Sequence, residues 1–225
     1  MSKCDVPVSV ASIEDFNKPS DTWRRLGSPI AWPPRTTAER GGVMTVLVAF
    51  ASAHGSTRSI AERLTTQLCE RGRFAVAASV DDVNSVTPYD AAIIGSAVHD
   101  HTWLPKATWF LADHAEDLAQ RPVWLFSVGM PAAVARPLRR LALREGAVLE
   151  QDLARIVPMR EHRLFSGVIS RESFPPGSNR LIFRLTGCHF GDFRDWESID
   201  QWAADIADAL DRHPARGDVT DAEQR

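Results

Sequence analysis

From Thr45 onward, short unbroken apolar runs alternate with stretches whose apolar residues recur every third or fourth position. Thr45 to Ala51 (TVLVAFA) is a continuous apolar run, the pattern of a strand buried on both faces. Ile60, Leu64 and Leu68 then fall at i, i+4 and i+8, which predicts an amphipathic helix from Thr57 to Glu70, with Gly72 as its stop. Further strands are predicted from Phe74 to Val80, Asp90 to Ser96, Pro122 to Val128 and Leu164 to Ile169. A helix is predicted from Leu104 to Ala119, with Leu104, Ala107, Leu111, His114 and Leu118 inward. Another spans roughly Ala133 to Glu145, and residues 146–158 add a helical turn or two. The last runs from Trp196 to Leu210, with Trp196, Ile199, Trp202 or Ala203, Ile206 and Leu210 on one side. Asp195 suits its N-cap and Glu197 its first turn. Strand and helix alternating through one domain imply an α/β fold: a five-stranded parallel sheet with helices on both faces. Its expected order is 2-1-3-4-5, so ligands bind beyond the carboxyl ends of strands 1 and 3, where the order reverses.

Residues 1–43 break this pattern. They carry Pro7, Pro19, Pro29, Pro33 and Pro34 and no sustained period, and they read as a disordered N-terminal extension. Met44 stands directly before the first strand, so it can be the true start. The domain is then 44–212, followed by a flexible tail, 213–225. With 44% hydrophobic residues among 225, the chain can bury one such core. Cys4, Cys69 and Cys188 are far apart and form no CxxC, which argues against a disulfide framework or structural zinc. No apolar run approaches the roughly 18 residues of a membrane span. A cytoplasmic setting is expected. A net charge of −3 gives no sign of a nucleic-acid partner.

The candidate chemistry gathers in three loops at one sheet edge. After strand 1, Ser52-Ala53-His54-Gly55-Ser56-Thr57 leads into a helix N-terminus, whose unpaired N–H groups and partial positive charge favour an anion. Gly55 permits close approach, and Ser52, Ser56 and Thr57 offer hydroxyl donors. Neither GxxxxGK[ST] nor GxGxxG is present, so a nucleoside triphosphatase or dinucleotide loop is not indicated. The alternative is a serine-rich capping turn. After strand 3, Ser96, Ala97, Val98 and His99 lead to His101 and Trp103. A planar aromatic ligand can stack on Trp103, with backbone groups of Ser96 and Val98 at its polar edge. Alternatively, Trp103 packs under its helix. His99 and His101 have no third ligand nearby to make a metal site. After strand 4, Ser127, Val128, Gly129 and Met130 form either an ordinary turn or a further ligand contact, with Met130 polarizable against a ring.

These segments resemble the flavodoxin family. Ser52 to Thr57 is similar to its phosphate loop, (S/T)-x-(T/S)-G-x-T, with His54 standing where a hydroxyl residue is usual. "YDAAIIGSAVHDHTWLPKA" resembles the strand and ring-binding loop of that family. The ring-stacking tyrosine of many flavodoxins is missing there, which leaves His99 or Trp103 as stacking candidates. The resemblance implies a flavodoxin-like three-layer sandwich that binds FMN through Ser52–Thr57, Ser96–His99, Trp103 and Ser127–Met130. It implies no separate catalytic side chains, since the flavin performs the chemistry. "LFSVGMP", "HRLFSGVI" and "GDFRDWESIDQWA" look like the branch containing menaquinone-dependent protoporphyrinogen oxidase, over roughly Met44 to Arg212. Residues between Leu164 and Trp196 correspond to the last-strand insertion of long-chain members.

That branch implies an FMN-dependent oxidoreductase passing electrons from a porphyrinogen to a quinone. The alternatives are an electron carrier between redox proteins and a fold that has lost its cofactor. Carriers of this family are strongly acidic, whereas residues 155–184 hold Arg155, Arg160, Arg163, Arg171, Arg180 and Arg184 against Glu161 and Glu172. Such a patch can receive substrate carboxylates or the inner face of the cell membrane, or it can be a solvated face. Arg180 and Arg184 would share one face of a short amphipathic turn, suited to peripheral membrane contact or to core packing. The oligomeric state is not indicated.

Overall fold

Val46, Leu47, Val48 and Ala49 have no exposed surface, as a strand with neighbours on both edges and helices over both faces requires. They belong to β1, Thr45–Ala51, the centre of the sheet in the computed structural model, which describes residues 44–129, 147–169 and 190–212. β2 (Phe74–Ser79) and β3 (Ala91–His99) flank β1, both parallel to it. β3 also forms a two-residue hairpin with β4 (Thr102–Trp103). β5 (Val123–Gly129) lies parallel to β3, and β6 (Glu161–Ser166) lies parallel to β5. The order β2-β1-β3-β5-β6 is the expected one, with β4 added beside β3. Register places Ala51, Ser96, Ser127 and Leu164 in one row across the sheet, so β1, β3 and β5 deliver their loops to the same edge.

One face is covered by α1 (Ser56–Glu70) and by α5 (Trp196–Asp211), with Ile60, Leu64, Ile199, Trp202 and Ile206 fully buried. The other is covered by α2 (Pro105–Asp113), α3 (Ala115–Leu118) and α4 (residues 147–156), which bring Leu111, Leu118, Leu149 and Leu153 onto Leu47, Ile94 and Leu125. The Asp195 carboxylate accepts from Ser198 N at 3.1 Å and caps α5 as expected. Gly95 lies under the Phe126 ring, where an added Cβ would come within 2.0–2.4 Å of ring carbons.

Several expectations change. The helix read from Leu104 to Ala119 is two helices, broken at His114, and Phe110 belongs to its buried face. The His114 ring turns back to the Phe110 carbonyl at 3.0 Å. β3 runs three residues beyond Ser96, so Ala97, Val98 and His99 are strand rather than loop. The strand read from Leu164 to Ile169 starts earlier and is interrupted. β6 ends at Ser166, and Val168–Ile169 (β7) leaves to pair antiparallel with Gly191–Asp192 (β8). The apolar pattern carries across Gly167 without a gap, which hides the change of sheet. Trp196 is partly exposed rather than inward, because the Arg194 guanidinium lies over its ring at 4.6 Å. The expected 1–43 extension, the 133–145 helix, the 213–225 tail, Cys4, Cys188, Met130, Arg171, Arg180 and Arg184 lie outside the described residues. Among those described, no helix is long and apolar enough to cross a membrane.

Candidate functional site

Where β1 ends, the chain turns through Ser52, Ala53, His54 and Gly55 into α1. Ser52 Oγ accepts from Gly55 N at 2.9 Å, which closes the turn on itself. Gly55, the N-cap, has φ 89, a left-handed conformation that glycine adopts without steric cost, and the space above it is open. Among the described residues no side chain caps α1, and its first turn holds no acidic residue, so its leading N–H groups face the loop without a counter-charge of their own. Ala53 and His54 are exposed on the outside of the turn.

The hydroxyls here are arranged for donation. Ser52 Oγ and Ser56 Oγ each accept a backbone N–H, from Gly55 and from Val168 (3.0 Å), and so each retains its own proton for an outside acceptor. Thr57 is 1% exposed, and its Oγ1 is buried without a hydrogen-bond partner among the described residues. A buried hydroxyl left unsatisfied costs about 1–3 kcal/mol. An acceptor placed over the first turn of α1 removes that cost. A phosphate monoester, doubly charged and acceptor-rich, fits this donor set.

Two other segments close on this turn, and neither was legible as part of the site in the sequence. Gly167 N donates to Gly129 O at 3.0 Å, and Val168 N reaches Ser56. A Cβ on Gly167 would come within 2.9 Å of Val128 and 3.2 Å of Ser56, so the β6–β7 crossing can approach α1 only as glycine. From β8, Arg194 Nη1 donates to Ser59 Oγ at 2.7 Å, and Ser59 Oγ donates to Ser56 O at 2.8 Å. Asp192 accepts from the other side of that guanidinium at 2.9 and 2.5 Å, and Arg194 holds its carboxyl below the usual range. Arg194, paired to Asp192, thus braces the first turn of α1 through Ser59. Only its place in "GDFRDWESIDQWA" pointed toward it.

The β3–β4 hairpin and the end of β5 lie at the neighbouring part of the same sheet edge. Asp100 and His101 take positive φ (48 and 65), forming a tight two-residue turn between His99 and Thr102. His99 is 73% exposed at its tip, and its Nδ1 lies 3.1 Å from the Asp100 carboxylate. Ser96 and Ser127 are buried and face inward. Ser96 Oγ accepts from Leu104 N (3.1 Å) and donates to Ala97 O (2.9 Å). Ser96 is also paired in the ladders on both sides, so neither its hydroxyl nor its backbone stands at a loop edge. Trp103 is 3% exposed, and its indole N–H donates to Ser127 Oγ at 2.7 Å. Its ring therefore packs under its helix, the second of the two alternatives its sequence position allowed. Val98 pairs with Trp103 across the hairpin. Of the expected ring-side residues, Ala97, Val98, His99 and Gly129 retain exposed surface at the rim, and Val128 lies buried beneath them.

The described part of the basic segment is internally paired. Arg155 bonds Asp152 at 2.6 Å, and Arg163 bonds Glu161 at 2.7 Å and Asp205 at 3.2 Å. Arg160 lies over the Trp124 ring at 5.7 Å. These contacts describe a braced protein face.

A family model described as a flavodoxin domain matches residues 47–167. No curated protein matches the chain in sequence. Among solved structures, a short-chain flavodoxin associated with a PDU bacterial microcompartment superposes with a TM-score of 0.51 at 10% identity, over 74% of this chain and 99% of its own. Flavodoxin 1 from Bacillus cereus gives 0.47 at 14%, over 74% and 99%. Rubredoxin oxygen:oxidoreductase from Desulfovibrio gigas gives 0.48 at 15%, over 75% of this chain but only 36% of that enzyme. At 10% identity, the likeness to the short-chain flavodoxin is one of fold.

Proposed function

The chain belongs to the flavodoxin domain family, and from that premise we propose that it binds FMN at the β1–α1 turn and serves as a redox protein. The observation that carries this reading is the buried hydroxyl of Thr57, without a partner among the described residues, at a helix start that none of them caps. Ser52, Ser56, Thr57 and the leading N–H groups of α1 would hold the phosphate, with the Arg194–Asp192 pair bracing the helix start through Ser59. The rim of Ala97, Val98, His99 and Gly129 would border the ring. FMN supplies reversible redox chemistry when bound, and the protein supplies binding, orientation and electrostatics.

The finer assignment concerns the electron partners. The likeness of "HRLFSGVI" and "GDFRDWESIDQWA" to the quinone-linked protoporphyrinogen oxidases supports oxidation of a porphyrinogen, with electrons passed to a quinone. Those segments form β6, β7, β8 and the start of α5, the elements that close on the phosphate turn. The alternative is a carrier between redox proteins. Protein purified with bound flavin absorbance and turning over protoporphyrinogen with a menaquinone analogue supports the oxidase. Flavin present with background turnover, and reduction by a ferredoxin reductase, assigns the carrier. A colourless protein that ignores added FMN refutes both.

A further inference from the structure

Beneath the rim, three side chains from three elements form a buried chain. Trp103 Nε1 donates to Ser127 Oγ at 2.7 Å, and Ser127 Oγ lies 2.8 Å from His162 Nε2. The His162 side chain is 3% exposed, and its Nδ1 is 3.9 Å from Glu150 Oε2 on α4. The first bond has only one possible direction. An indole N–H can only donate, so Ser127 Oγ accepts it. With His162 Nε2 as the unprotonated ring nitrogen, the single hydroxyl proton of Ser127 is donated to it. The remaining proton sits on Nδ1, facing Glu150.

The order Trp103→Ser127→His162 therefore requires a neutral imidazole of one tautomer. A second proton on His162 would give Ser127 two incoming donors and turn its own hydroxyl proton away from the ring that accepts it. Burial disfavours the charged ring, and the Glu150 carboxylate partly opposes that effect. Among the described residues, Glu150 is the charged group facing the ring. Glu161 and Arg163, its neighbours on β6, engage Trp202 on the opposite face of the sheet.

We propose that His162 is a positioning residue for the flavin rim: by accepting the Ser127 proton it fixes Trp103, and Trp103 anchors the hairpin, residues 97–103, that borders the ring. The proposal rests on the FMN reading above. Trp103 pairs with Val98 in that hairpin, and Ser127 lies two residues before Gly129, so both sides of the rim meet in this chain of bonds. Protonation of His162 then loosens the rim without touching the phosphate turn.

The test is FMN titration of the full chain at about pH 7.5 and about pH 5, on either side of the ordinary histidine value near 6.5. Wild type and His162→Gln are compared. Glutamine retains an acceptor for Ser127 and does not titrate. The phosphate of FMN takes up its second proton near pH 6, and that effect is common to both proteins. Wild type is expected to lose about tenfold more affinity than His162→Gln on acidification, the scale of one disrupted buried hydrogen bond. His162→Ala is expected to bind about tenfold more weakly than wild type already at about pH 7.5. In wild type alone, the Trp103 indole N–H resonance and the flavin absorption are expected to shift with one shared midpoint, which needs no variant. Parallel acid profiles, or an indole resonance that titrates independently of the flavin, overturn the proposal. Absence of FMN binding by wild type at both pH values refutes the underlying reading and the proposal together. Binding that is independent of both pH and His162 refutes the proposal alone.

Discussion

Thr57 is the residue on which the site turns. Its hydroxyl is buried in the first turn of α1 and satisfied by nothing among the described residues, so the apo fold carries a cost that a bound acceptor removes. Thr57→Val keeps the shape and deletes the donor. It is expected to leave thermal stability of the FMN-free protein unchanged or higher, and to weaken FMN by about 2 kcal/mol, roughly thirtyfold in Kd. A fall in stability with unchanged affinity would show that the hydroxyl serves packing instead. His162 makes a separate prediction about stability. Its folded-state pKa lies below the ordinary value, so the unfolded chain binds the proton more readily. The stabilisation is therefore full above about pH 6.5 and is lost as pH falls through the lower folded-state value. The melting temperature of wild type is expected to drop more steeply than that of His162→Gln across that window, by thermal denaturation at closely spaced pH values.

At the scale of elements, Gly95 tests the packing that places the site. β3 must lie close to β5 because the Phe126 ring occupies the space of a Gly95 side chain. Gly95→Ala is expected to cost about 1–3 kcal/mol in denaturant unfolding, through displacement of that ring. A neutral result would mean that Phe126 can swing aside. The sheet and its order were legible from residues 45–128 because fully buried parallel strands read as unbroken apolar runs, and Ile60, Leu64 and Leu68 marked one face of α1. The β1–α1 turn was legible as a candidate site for the same reason, since small and hydroxyl residues interrupt an apolar run at a known sheet edge. The β6–β7 break was not, because a change of sheet at Gly167 leaves the apolar pattern intact. Trp103 was legible as important and ambiguous in role, since its bond to Ser127 joins residues 24 apart. Arg194 reaches Ser59 across 135 residues, and no local pattern announces such a contact.

For the molecule as a whole, the β1–α1 turn, the β6–β7 crossing and Arg194 meet at the start of α1. The domain matched by the family model ends at residue 167, and beyond it Val168 of β7 and Arg194 after β8 reach the first turns of α1. Ligand binding should therefore brace both parts together. FMN at about one hundred times its Kd is expected to raise stability by about 2.7 kcal/mol, read as a single cooperative transition at higher temperature. Two transitions, with only one shifted, would show that the later segment is independent of the site. The most direct measurement is a parallel titration of the flavin-free chain with FMN and with riboflavin, which differ by the phosphate alone. Anchoring at the α1 start predicts saturable FMN binding at least about a hundredfold tighter than riboflavin, the worth of two or so charge-assisted hydrogen bonds. Equal affinity for the two, or no binding of either, would contradict it.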